Sequence, residues 1–152
     1  MSEGATPYTP EEGVLRCLDE AQLRLTASRR RVLAALSGAG RPVTLPEVLH
    51  LEPGLSQSSA YRNLAELIEA GIVHRIDTGD EHSRFELAEE LTAHHHHLIC
   101  ASCARVLDID LGEDVERALE AAGDVLRRSG IEVDGHRIDV TGRCADCAAL
   151  GG

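Results

Sequence analysis

The chain has 152 residues and a formal charge of −11, from 15 basic residues, every one an Arg, against 26 acidic ones. That length allows one ordinary domain or two small ones, and with two Tyr, one Phe and no Trp the core must be aliphatic. Uniform acidity would exclude nucleic acid, whose binding rests on neutralised phosphates, but the charge is uneven. Residues 22–75 hold seven Arg against four acidic side chains, for +3, whereas residues 76–152 hold seven Arg against seventeen, for −10. A mildly basic front joined to an acidic back predicts two modules with different tasks. The polar start, "MSEGATPYTPEEG", has no apolar core of a signal peptide, and no apolar run approaches membrane-spanning length. The expectation is a soluble, cytoplasmic protein with no membrane partner, in a compartment where paired Cys more often bind metal than form disulfides.

After a loose first ten residues, "EEGVLRCLDEAQ" reads as a short amphipathic helix, with Cys17 as a buried small apolar residue. "TASRRRVLAALSGAG" predicts a second helix, capped by Thr26, apolar through Val32, Leu33 and Leu36, and stopped at Gly38. "RPVTLPEVLHL" gives a third, with Thr44 as cap and Pro46 in its first turn. In "LSQSSAYRNLAELIEAGI", Ala60, Leu64, Leu67 and Ile68 form a helical stripe that ends near Gly71. "IVHRID", a Gly-Asp turn and "SRFELA" then predict a two-stranded hairpin. Three helices and a hairpin in this order make a winged helix-turn-helix. Beyond "AEELTA", residues 88–93, "HHHHLIC" and "ARVLDIDL" read as strands around a "CASC" knuckle. "EDVERALEAAGDVLRRSG" reads as a helix, and "IEVDGHRIDV" as a last strand leading to "GRCADC" and a short tail. The fold class is therefore α+β, a winged helix followed by a small α/β module.

Cys100-x-x-Cys103 and Cys144-x-x-Cys147 are two knuckles whose four thiolates would close a tetrahedral shell around Zn²⁺. Such a closed site is structural and adds folding free energy to a module with little apolar core. The histidine run needs a different account. On a strand alternate side chains face opposite sides, so His95 and His97 point one way and His94 and His96 the other. One strand can thus feed two metal sites. Candidate partners on the first face are His74, Glu86 and Asp108; on the second they are Glu116 and His136. Mixed His/carboxylate sites accept Zn²⁺, Fe²⁺, Mn²⁺ or Ni²⁺. His50 and His82 are read as surface residues.

In "LTASRRRVL", "SSAYRNLAELIEAGIV", "SRFEL", "HHHHLICASC" with "VLDI" after it, and "GRCADC", the chain resembles the ferric uptake regulator family of bacterial metalloregulators from about residue 14 to Cys147. The resemblance implies a homodimeric repressor that binds palindromic AT-rich double-stranded operators when a corepressor metal is bound. It divides the chain into a DNA-binding domain over residues 1–88, a hinge over 89–93 and a metal-binding dimerisation domain over 94–152. By position it makes Cys100, Cys103, Cys144 and Cys147 the structural zinc site, and it makes Glu86, His95 and His97 the regulatory site. Asp108 matches a carboxylate of peroxide-sensing and some iron-sensing members. His94, His96, Glu116 and His136 resemble a third site. Many members draw a sensor ligand from a His just before the third helix; here that position is Pro42, and His74 is the substitute. Zinc is the favoured regulatory metal, with iron or manganese as the alternative.

For DNA, Ser58, Ser59, Tyr61 and Arg62 lie in the N-terminal half of the recognition helix, within reach of base edges and phosphates. The resemblance singles out Tyr61 for thymine methyls and Arg62 for phosphate or base, and places Arg24 in a narrow minor groove. Arg29 is expected to contact phosphate, whereas Arg30 and Arg31 are read as solvated. A zinc enzyme would need an open metal position and a general base, yet neither His-Glu-x-x-His nor the deaminase pattern is present, so no catalysis and no small organic substrate are expected. A zinc store or chaperone is the rival from another class, and the Tyr-Arg-bearing helix speaks against it. A peroxide sensor using iron at His95 and His97 is the rival within the family.

Overall fold

The computed structural model describes residues 10–151; the loose start expected of the first ten residues falls, Pro10 apart, outside them. The chain forms two compact units, with the boundary between His94 and His95.

In the first unit, α1 (Glu12–Glu20) and α2 (Ala27–Ala39) precede a two-residue strand, β1 (Val43–Thr44). Helices α3 (Leu45–Leu51) and α4 (Gln57–Glu69) lead into the hairpin β2 (Val73–Ile76) and β3 (Arg84–Leu87). Thr26 caps α2 by accepting from the Arg29 amide, as its position before an apolar run predicts. The stop differs from expectation. Gly38 lies inside α2, and the helix ends at Gly40, whose φ of 60° a residue with a Cβ adopts only with strain. Thr44 and Glu47 form a reciprocal capping box at α3, with Pro46 in the first turn where its missing N–H costs nothing. At the end of α4 the Gly71 and Ile72 amides donate to the carbonyls of Ile68 and Leu67, with Gly71 at φ 70°. That closes the helix and turns the chain directly into the wing.

The sheet order is β1-β3-β2, all antiparallel, so the wing is three-stranded through a pairing, Val43 opposite Phe85, that the sequence pattern did not reveal. Val14 and Leu18 of α1, Val32, Leu33 and Leu36 of α2, Val48 of α3 and Ala60, Leu64 and Leu67 of α4 bury one continuous core against Val43, Ile72, Val73 and Leu87. Cys17 is half-buried at its margin. This is the winged helix-turn-helix expected.

The second unit is a sheet of order β5-β4-β6 carrying one long helix. β4 (His96–Cys100) pairs antiparallel with β5 (Val106–Ile109), across the CASC turn, and parallel with β6 (Asp139–Gly142). Parallel pairing requires a crossover, and α5 (Glu113–Arg128) supplies it. Two expectations need correction. The last strand is not "IEVDGHRIDV" but the shorter, later β6, because only Asp139–Gly142 come alongside β4. The strand read over "HHHHLIC" begins only at His96, so His94 and His95 precede it; the short tail carries a helix, α6 (Ala145–Leu150), with Cys144 as its N-cap residue and Cys147 within it. The core of this unit is thin. Its buried apolar side chains among the described residues are Cys100, Val106 and Cys144, and two of its most buried groups are His96 and His97. No helix of the described residues is long and apolar enough to cross a membrane.

Candidate metal centres

Cys100 ends β4, Cys103 lies in the turn after it, and Cys144 and Cys147 flank the start of α6. Their sulfurs all lie within 4.8 Å of one another, and Cys103 Sγ and Cys144 Sγ are 3.9 Å apart. Ligands about 2.3 Å from a tetrahedral Zn²⁺ stand about 3.8 Å from each other, so the spacing fits the ion and excludes a disulfide. The amide of Cys144 donates to Cys100 Sγ at 3.3 Å. That amide, with those of Cys103 and Ser102, pulls the Cys100 thiol down to about 6. Cys147 is pushed up to about 12, chiefly because its thiol is hydrogen-bonded with Cys144 and then Cys103. Four sulfurs so close cannot all carry charge unless a cation lies among them, which is the condition zinc meets.

The two faces of β4 carry different chemistry. His96 and His97 are adjacent, only 2% and 4% exposed, and point to opposite sides. On one side His95 and His97 meet edge to face with ring centroids 4.9 Å apart. The Nε2 atoms of both rings lie 3.9 Å from Asp108 Oδ1, which the antiparallel register sets opposite His97. Three ligand atoms thus converge within 4.8 Å. On the other side His96 Nε2 is 2.6 Å from Glu116 Oε1, and His136 Nε2 is 3.3 Å from Glu116 Oε2. Glu116 sits in the first turn of α5, so the crossover helix delivers this carboxylate. Both are imidazole–carboxylate sets with no thiolate, suited to first-row divalent ions.

The remaining ligand candidates lie in the first unit. Glu86 is on the wing strand β3, and His74 is half-buried directly opposite it on β2. No metal-holding group of the described residues includes His74. His94 pairs through Nδ1 with Glu89. Asp139 is a site residue that the sequence pattern did not point to. Parallel pairing sets it opposite His97, and its Oδ1 lies 3.4 Å from His97 Nδ1. Asp139 opens β6, and the register that brings it to His97 cannot be read from the local sequence.

Among the DNA candidates, Ser56 caps α4 by accepting from the Ser59 amide, so Ser58 and Ser59 lie in the first turn. Tyr61 is 68% exposed, an unusual position for one of three aromatic rings in the chain, and Arg62 and Arg24 are exposed as well. Arg29 is different. It is buried, with its guanidinium turned inward to the Arg24 carbonyl and the Glu66 carboxylate. The phosphate contact expected of it is replaced by a lock between α2 and α4, beside the bond from Asn63 Nδ2 to Ser28 Oγ at 3.2 Å. Arg29→Ala is expected to lower the unfolding free energy by about 1–3 kcal/mol, below the loss at a fully buried pair because Glu66 is half-exposed. In the folded fraction the salt dependence of DNA binding stays unchanged; a slope reduced by about one would restore Arg29 to the phosphate contacts.

A model of the ferric uptake regulator family matches residues 20–141. The peroxide operon regulator of Bacillus subtilis (strain 168) is 29% identical over 138 residues, covering 88% of this chain and 90% of that protein. The ferric uptake regulator of Pseudomonas aeruginosa, solved with manganese, is similar with a TM-score of 0.67 and 25% identity, over 84% of this chain and 95% of that one. The Helicobacter pylori ferric uptake regulator, described as having three functional metal binding sites, shares the fold with a TM-score of 0.70 at 20% identity, over 95% and 97% of the two chains.

Proposed function

The chain belongs to the ferric uptake regulator family, and from that premise we propose that it is a cytoplasmic homodimeric repressor that binds palindromic AT-rich operators when its regulatory site holds Zn²⁺. At the coarser level it is a metal-dependent transcriptional regulator and not an enzyme. The observation that carries the finer reading is the convergence of His95, His97 and Asp108 on one face of β4. Glu86 of the wing completes this regulatory site, with His74 in reserve for the ligand absent at Pro42. Residues 89–93 then act as a hinge between residues 1–88 and 94–152. Metal that binds the closed arrangement more tightly shifts the population toward it, and so sets the spacing of two recognition helices on successive half-sites.

Cys100, Cys103, Cys144 and Cys147 hold the structural zinc, while His94, His96, Glu116 and His136 form a third metal site. Arg24, Ser58, Ser59, Tyr61 and Arg62 make the DNA contacts. Val115, Val125, Leu126, Ile131 and Val140 leave apolar surface exposed in the second unit, which supports dimerisation there. Zinc leads on general grounds, because an N/O site binds it more tightly than iron or manganese. Two observations favour the second reading, an iron- or manganese-dependent or peroxide-sensing regulator. One is the mixed imidazole–carboxylate donor set without a thiolate; the other is the similarity to the Bacillus subtilis peroxide operon regulator.

The test is anaerobic, metal-buffered titration of operator binding with Zn²⁺, Fe²⁺ and Mn²⁺ in turn. Zinc alone is expected to tighten binding by about 5–150-fold, the usual span of allosteric coupling. Tightening only by Fe²⁺ or Mn²⁺ would install the second reading. No response to any metal would remove both.

A further inference from the structure

We propose that Asp139 is a positioning residue for the regulatory metal: its carboxylate, placed beside Nδ1 of His97, draws the ring proton to that nitrogen and so presents the Nε2 lone pair to the ion. The proposal rests on the reading of His95, His97 and Asp108 as regulatory ligands. The imidazole of His97 stands between two carboxylates. Its Nε2 faces Asp108 Oδ1 at 3.9 Å, within the ligand group, while its Nδ1 faces Asp139 Oδ1 at 3.4 Å, outside it. A neutral imidazole carries one proton, and whichever nitrogen holds it cannot ligate. A carboxylate on Nδ1 draws the proton there, fixes the ring and raises the basicity of Nε2.

The arrangement is held from both sides. Main-chain pairing places Asp139 opposite His97, with the His97 amide donating to the Ile138 carbonyl at 3.3 Å. Arg137 Nε lies 3.3 Å from the same Asp139 oxygen, which holds that oxygen in place. His97 is buried, so the ring has little room to turn. The feature arises between two strands far apart in sequence, and it ties the affinity of the regulatory site to the β4–β6 pairing.

The full-length protein, with zinc retained at the four cysteines, is titrated anaerobically with Co²⁺ and followed by its d–d absorption. Asp139→Ala is expected to weaken Co²⁺ binding by about 10–100-fold. Asp139→Asn, which keeps an acceptor oxygen without its charge, falls between it and the parent. Zinc content and the thermal midpoint remain those of the parent. Long-range ¹⁵N spectra of the parent before cobalt addition should show the His97 proton on Nδ1, and in Asp139→Asn that resonance should shift. Asp139→Ala binding within about twofold of the parent, or a parent His97 protonated on Nε2, overturns the proposal. His97→Ala separates the two levels. If it loses Co²⁺ while Asp139→Ala does not, the positioning role alone is wrong; if it binds like the parent, the regulatory reading falls and the proposal with it. Should Asp139→Ala lose its zinc, the parent spectrum and the Asn variant decide between the two outcomes.

Discussion

Cys144→Ser is expected to unfold the second unit and leave the first folded. The two units differ in what holds them. The first buries leucines, valines and isoleucines from four helices and the wing in one core. The second buries little beyond Cys100, Val106, Cys144 and two histidines. Cys144 also begins α6 and donates its amide to Cys100 Sγ, so it ties both knuckles together. Structural zinc contributes about 10 kcal/mol or more to small modules of this kind, which exceeds what so thin a core supplies. Circular dichroism and two-dimensional NMR should show loss of β4, β5, β6 and α5 with retention of α1 to α4, and zinc analysis should show the metal gone. Strong chelation of the parent should reproduce the result. A second unit that keeps its fold without zinc would show that packing, not metal, holds it.

His97→Ala is expected to abolish the metal response of DNA binding while leaving the metal-free affinity as it was. The residue is buried, shares a ligand group with His95 and Asp108, and faces Asp139 through its other nitrogen. Removing it takes away one proposed metal ligand and the ring that lies between Asp108 of β5 and Asp139 of β6. The coupling of about 5–150-fold should collapse to unity, read as the ratio of operator affinities with and without saturating metal. Zinc at the four cysteines should persist. A retained metal response would assign regulation elsewhere, first to the group of His96, Glu116 and His136.

Much of this is legible because it is local. The two Cys-x-x-Cys knuckles point to one four-sulfur group by their spacing, and the fold brings the four sulfurs together. The parity of adjacent histidines requires two faces where the segment is a strand, as at His96 and His97. Thr26 and Thr44 cap as their positions predict, since each hydroxyl has an amide within three residues to accept from. Where the local pattern misleads, the deciding partner is distant. Gly38 and Gly40 look alike in sequence, and only the path of the chain after α2 selects the second. Segment 131–138 alternates like a strand, yet pairing with β4 begins at Asp139. Arg29 reads as one more exposed cation until Glu66, from the other helix, takes it inward.

The sequence by itself determined the helices and hairpin of the first unit, the charge division, the two cysteine knuckles and the opposite faces of adjacent histidines, since each follows from residue types within a turn or a strand of one another. Tertiary structure decided what depends on register and crossover. A parallel β6 sets Asp139 beside His97, the first turn of α5 brings Glu116 between His96 and His136, and the packing of α2 on α4 makes Arg29 a lock. Strand pairing and helix packing are set by burial summed over the whole unit, and no short window of sequence carries that sum.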